Sequence, residues 1–254
     1  MTAATVPDRN HEEWRYAAIE RLGEIDLAPR VITVAAGETM REVIRLADPV
    51  ASQPPEADPW VRRLQVGVEA GGRFELFAVL ASADTARLDI EVQLADGAHF
   101  EFGWITVGGR DTVRECVTRT IHTEPNATSN QVVRAVHWGR ATGNFLGRID
   151  VARNAQKTDA AQDFKGLLLE RGASVNAVPQ LEIFADDVQC AHGATVGQLD
   201  EAARFYMEAR GLPPAAARRL LVRGFVGDAL VALDDDEARE GLMEVALDKV
   251  DKHV

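Results

Sequence analysis

The chain has 254 residues, 46% of them hydrophobic, which is enough to bury a sizeable core. Its net charge of −12, from 28 Lys plus Arg against 40 Asp plus Glu, excludes a general nucleic-acid or anionic-membrane surface, because either would repel it. The longest apolar run, Leu76 to Ala81, is the size of a buried strand and not of a membrane span. The two cysteines, Cys116 and Cys190, make no disulfide framework and no metal-type pair, and no basic-then-apolar leader opens the chain, so a soluble cytoplasmic protein is expected.

In chain order, three segments emerge. Residues 1–59 form a short mixed region. His11 to Leu22 predicts a short helix with Trp14, Ala18 and Leu22 on one side, and Gln53 to Pro59, with three prolines, reads as a linker. Residues 60–197 read as strands. Leu88, Ile90, Val92 and Leu94 alternate with polar residues, Leu64, Val66 and Val68 repeat the pattern, and so do Phe74, Leu76 and Ala78. Turn signals recur at Gly71-Gly72, Asp96-Gly97, Gly108-Gly109, Pro125-Asn126 and Gly143-Asn144. Periodicity alone leaves a sandwich, a barrel and a parallel solenoid open, and no fixed-length repeat chooses among them.

Residues 198–254 read as helical. Asp200 is placed to cap a first helix and Gly211 to end it. Pro213-Pro214 starts a second helix that carries Leu220, Leu221, Phe225 and Ala229 inward. Asp234 with Glu237 suggests a capping box for a third, packing Leu242, Val245 and Ala246. This tail is expected to bury an apolar face separate from that of the strands. Arg218, Arg219 and Arg223 do not form one stripe on a helix and read as a solvated face.

Phosphate-binding loops, dinucleotide turns, Cys-x-x-Cys, His-Glu-x-x-His and Gly-x-Ser-x-Gly are all absent. The six histidines are scattered, and most are expected at the surface or in hydrogen bonds. No enzyme is expected. One constellation stands out: in Val188-Gln189-Cys190-Ala191-His192-Gly193, alternate residues share a face if the stretch is extended, setting a thiol and an imidazole about 7 Å apart. Such a pair suits iron, with Asp186 on the same side. From spacing alone, a buried cysteine beside a turn histidine is the favoured reading. Two ligands cannot hold a cluster alone.

Ala155-Gln156-Lys157-Thr158-Asp159-Ala160-Ala161-Gln162, then Leu167-Leu168-Leu169, then the run from Pro179 to Gly197 resemble the SufB/SufD family of iron–sulfur cluster assembly subunits. Leu199-Asp200-Glu201, Phe205-Tyr206, Arg210-Gly211 and Arg223-Gly224-Phe225 continue the match. The stretch Gln162 to Gly166 lacks the scaffold cysteine of SufB chains, and His192-Gly193-Ala194-Thr195 stands where they carry His-Glu-Ala-Thr, so the likeness is to the SufD type. Trp14-Arg15-Tyr16 resembles a segment near the start of SufD chains, whose helical N-terminal region is much reduced here.

This resemblance implies a mainly β fold, a right-handed parallel β-helix followed by a C-terminal helical domain. It implies a scaffold that docks a SufC-type ATPase and pairs with a SufB-like chain or with itself, sulfur arriving from a cysteine desulfurase. Candidate ligands for transient iron or a cluster are His192 and Cys190, with no permanently bound cofactor. The candidate ATPase contacts are Phe205, Tyr206, Arg223, Gly224 and Phe225. The candidate dimer interface holds Leu181, Ile183, Asp186 and Val188. The alternative is a homodimeric structural protein that binds the ATPase without holding metal.

Overall fold

The computed structural model describes residues 14–22, 27–47 and 58–252. Its body is a parallel β-solenoid. Strands β1 (Arg30–Val34), β3 (Trp60–Val68), β5 (Thr85–Leu94), β7 (Val113–His122), β9 (Thr142–Val151) and β11 (Ser174–Ile183) make one six-stranded sheet in that order. Strands β2 (Thr39–Leu46), β4 (Arg73–Leu80), β6 (His99–Gly108), β8 (Thr128–His137), β10 (Asp159–Leu168) and β12 (Gln189–Gln198) make the other. Each chain segment therefore crosses from one sheet to the other at a corner, and its hydrogen-bonding neighbour is two strands back. From β5 onward every strand is ten residues long while the corners vary in length.

Alternation sends every second residue into the lumen. Leu88, Ile90, Val92 and Leu94 point inward and are buried, as the sequence predicts. Phe74 stacks on its register partner Phe100 at 5.9 Å, Phe100 on Phe102 at 5.8 Å, and Phe145 on Phe164 at 5.0 Å. Corners at Gly71, Gly97, Asn126 and Gly139 take positive φ, which suits glycine and asparagine. Gly143-Asn144, expected at a turn, lies inside β9 instead. Gly143 faces the lumen, where a Cβ would sit 2.6 Å from the His137 ring, so its smallness serves packing.

Both outer faces are covered. Over the even-numbered sheet lie α3 (Pro214–Gly227), a 3₁₀ turn (Asp228–Leu230) and α4 (Asp236–Asp251). Val222, Val226, Leu230, Leu242, Ala246 and Leu247 form one apolar cluster with Phe77, Val79, Ile105, Val107, Val136 and Leu167 of the strands. The separate apolar face expected for the tail is thus corrected: strands and helices share one core. A Cβ at Gly103 would overlap the Ala229 carbonyl, so this glycine lets the 3₁₀ turn approach the sheet. The buried face of α3 holds Ala217, Val222 and Val226, while Leu220 is exposed, because the sheet meets the helix on a face rotated from the predicted one. Asp235 caps α4 by accepting from the Ala238 amide, in place of the predicted Asp234, which pairs with Arg41 at 2.5 Å.

The N-terminal segment covers the odd-numbered sheet. Among the described residues there, the α-helix is α1 (Ile19–Leu22); residues 11–13 and 53–57, parts of the predicted helix and linker, lie outside the described residues. Trp14, Ala17, Leu22 and Leu27 form a small core, so the buried alanine is Ala17 and not Ala18. Beneath it runs a buried polar ladder across three register-paired strands, Arg87, Glu115 and Asn144. Arg87 donates to Glu115 at 2.9 Å and lies 3.9 Å under the Trp14 ring. The Ala18 amide donates to Glu115 Oε1 at 2.9 Å, and Asn144 Nδ2 donates to the Tyr16 carbonyl at 2.8 Å.

Candidate functional site

The last rung, β11 and β12, ends the solenoid with a bare face. Residues of β10 alternate between buried and half-buried or exposed, but β12 is exposed along nearly its whole length and β11 is nowhere buried. The cause is topological: β11 and β12 are the outermost strands of their sheets, so no described residue stacks on them as a further strand.

Cys190 and His192 lie on β12 in register with Ala160 and Gln162 of β10. Ala160, Gln162 and Phe164 are buried on the inward face, so Cys190 and His192 also face inward, at the open mouth of the lumen. They share one face, as their spacing requires. Val188 precedes β12 in a corner and packs with Leu181, Ala185 and Cys190 against Ile149, Val151, Ala155 and Ala160. Asp186 is exposed in the same corner. Ile183 closes β11 with part of its side chain in solvent, Phe184 is exposed in the corner that follows, and Val196 is exposed toward the far end of β12. The four interface candidates and the two ligand candidates thus gather at one end of the molecule.

Burial pushes the Cys190 thiol up, the Asp159 charge adds to that, and a backbone hydrogen bond with Ala160 opposes it. Cys190 therefore rests as a thiol at neutral pH, and a metal would have to displace its proton. Among the described residues, no three His, Cys, Asp or Glu side chains converge on a point that would hold a metal ion. Cys116 is wholly buried, and desolvation raises its thiol well above the usual range, so it takes no part.

Below the mouth the lumen turns polar. Gln131 Nε2 donates to Thr120 Oγ1 at 3.1 Å, Gln162 Nε2 to Gln131 Oε1 at 3.5 Å, and His122 Nε2 meets Ser129 Oγ at 3.0 Å. His122 and His137 are fully buried and hydrogen-bonded, to Ser129 and Thr106; His99 is half-buried against Thr128 and Glu101. These residues were missed by sequence reading. Their signal was parity, since Thr118, Thr120 and His122 alternate in step with Cys116, and Gln162 in step with Ala160 and Phe164.

The ATPase-contact candidates divide. Helix α2 (Glu201–Ala209) is capped by Asp200, which accepts from the amides of Ala202 and Ala203, and it buries no residue. Phe205 and Tyr206 on it are 72% and 59% exposed. Gly224 is exposed on α3, but Arg223 is held by both carboxylate oxygens of Glu240, and Phe225 packs partly into the shared core. Arg219 pairs with Asp251, which bears out the solvated reading of the arginine group. Among the described residues no helix is long and apolar enough to cross a membrane.

Residues 60–225 match the family described as SUF system FeS cluster assembly, SufBD core domain. The iron–sulfur cluster assembly protein SufD of Escherichia coli is 36% identical over 137 residues, 53% of this chain and 31% of that protein. The chloroplastic protein ABCI7 of Arabidopsis thaliana is 33% identical over 183 residues, 68% of this chain and 37% of its own. A SufBD family protein of Synechocystis is 32% identical over 159 residues, 62% and 35% of the two chains. The chain spans about a third of the length of these curated relatives.

Proposed function

The chain belongs to the SufBD family, and from that premise we propose that it is a SufD-type, non-catalytic scaffold subunit of iron–sulfur cluster assembly. The observation that carries this reading is the bare last rung, which presents Cys190 and His192 inward at an open mouth and exposes apolar Ile183, Phe184 and Val196 along its length. A partner chain stacked on this rung, SufB-like or a second copy, satisfies the unpaired strand edges and brings the ligands that the two residues alone lack. Iron or a nascent cluster is then cargo held between chains, with His192 as one ligand and Cys190 as a candidate second. Phe205 and Tyr206, exposed on a helix that buries nothing, form the centre of the proposed ATPase contact. Sulfur delivery from a cysteine desulfurase completes the reading.

Anaerobic iron content of the assembled complex tests it. His192→Ala should lower iron loading with little loss of folding stability, because the residue is exposed. Cys190→Ser should matter little where a SufB-like chain supplies thiolates and much in a homodimer. Unchanged loading in both variants would favour the second reading, a structural subunit without metal. The apolar packing of Cys190 supports that alternative.

A further inference from the structure

Gln162 is 2% exposed, and its amide oxygen Oε1 is buried with no hydrogen-bond partner. A buried acceptor left without a donor is costly, so its retention requires a cause. The amide is oriented from below: its Nε2 donates to Gln131 Oε1, and Gln131 in turn donates to Thr120, which assigns the oxygen and nitrogen of Gln162. Its place is reserved across the lumen, where a Cβ at Gly147 would overlap the Gln162 side-chain amide.

The rung above offers few donors. In register on the inward face of β12 stand Cys190 over Ala160, His192 over Gln162 and Ala194 over Phe164, with strand neighbours about 4.8 Å apart. From the opposite sheet the register partner of Gly147 is Pro179, with Ala177 and Leu181 to either side, and none of these side chains donates. Among these inward-facing residues, His192 is the strong side-chain donor in register with Gln162. We propose that Gln162 is the positioning residue for His192, its Oε1 accepting one ring N–H and turning the other nitrogen, with its lone pair, toward the open mouth. This rests on the reading of His192 as a ligand and gives that ligand its orienting partner, as buried amides, carbonyls and carboxylates do for metal-bound histidines.

The test uses the full chain in two measurements. Ring ¹⁵N shifts of His192, assigned by their loss in His192→Gln, report its tautomer in the iron-free protein. Ferrous iron alone, titrated anaerobically, reports affinity. Gln162→Leu should shift the tautomer toward that of free imidazole and weaken ferrous iron about 10- to 100-fold. Gln162→Glu, which keeps an acceptor, should hold both near the wild-type values. Gly147→Ala, which leaves Gln162 present but displaces its amide, should act in the direction of Gln162→Leu. A His192 tautomer unchanged in both Gln162→Leu and Gly147→Ala overturns the assignment. A tautomer that responds, while His192→Ala leaves iron binding unchanged, supports the contact and defeats the ligand reading instead.

Discussion

Lowering the pH from 7.5 to 5 should destabilise this protein through two histidines inside the solenoid. Burial holds His122 at about 4 and His137 at about 3, both down from 6.5; for His137 the Arg114 charge lowers it further. In the folded state both are neutral through this range, while the unfolded chain takes up protons below 6.5. The unfolded state binds more protons, so stability rises with pH. The contribution is fully present above 6.5 and is lost as pH falls toward 4 for His122 and toward 3 for His137. At pH 5, 1.5 units below the unfolded value, each group costs about 2 kcal/mol, or about 4 kcal/mol for both, a large part of a typical domain's stability. Glu75 does not enter this window: burial pushes its carboxyl up, but Arg73 and Arg41 outweigh that and hold it below 4.5. Urea unfolding at the two pH values measures the loss, and a His122→Gln, His137→Gln double variant should flatten it. The same pH dependence in the double variant would refute the assignment to these residues.

Glu115→Ala removes the 2.9 Å partner of the buried Arg87 guanidinium and the acceptor of the Ala18 amide, so it should cost about 3 kcal/mol and raise hydrogen exchange at Ala18, both measurable on the intact chain. Deleting the residues after Gln198 uncovers Phe77, Val79, Ile105, Val107, Val136 and Leu167, at roughly 1.5–3 kcal/mol each. The shortened chain should aggregate, and a soluble monomer with native circular dichroism would contradict the shared core. Gly103→Ala should loosen the tail by driving the Ala229 carbonyl off the sheet, seen as faster exchange in Asp228–Leu230 and α4. Phe205→Ala with Tyr206→Ala should abolish the proposed binding to a SufC-type ATPase while changing stability by less than about 0.5 kcal/mol, and retained binding in a pull-down would remove α2 from the proposed contact.

The strand-then-helix order was readable because strands such as β5 alternate apolar lumen residues with polar residues on the outer face, even where that face is covered. The lumen face of β4 was legible in Phe74, Leu76 and Ala78, but β6 hid its period, since Ile105 and Val107 on the outer face are buried under the tail as deeply as the lumen residues. The phase of α3 was misjudged for the same reason: which stripe is covered depends on strand β8, far earlier in the chain. No repeat was visible because corners of unequal length separate equal strands, as residues 95–98 and 152–158 show. At the site, the shared face of Cys190 and His192 followed from spacing alone. The orphaned oxygen of Gln162 did not, because it arises from the stacking of β10 under β12 and from a missing side chain at Gly147 across the lumen.

Equal strands joined by unequal corners also govern how the sequence can change length. One residue added inside a ten-residue strand would turn every later side chain of that strand inside out, trading lumen for exterior. The same residue added between Ala152 and Thr158 would only enlarge a corner and leave the facing of Cys190 and His192 untouched. Gaps between this chain and its relatives should therefore fall at the corners, and tags or probes inserted there should be tolerated where insertions four residues away are lethal to the fold.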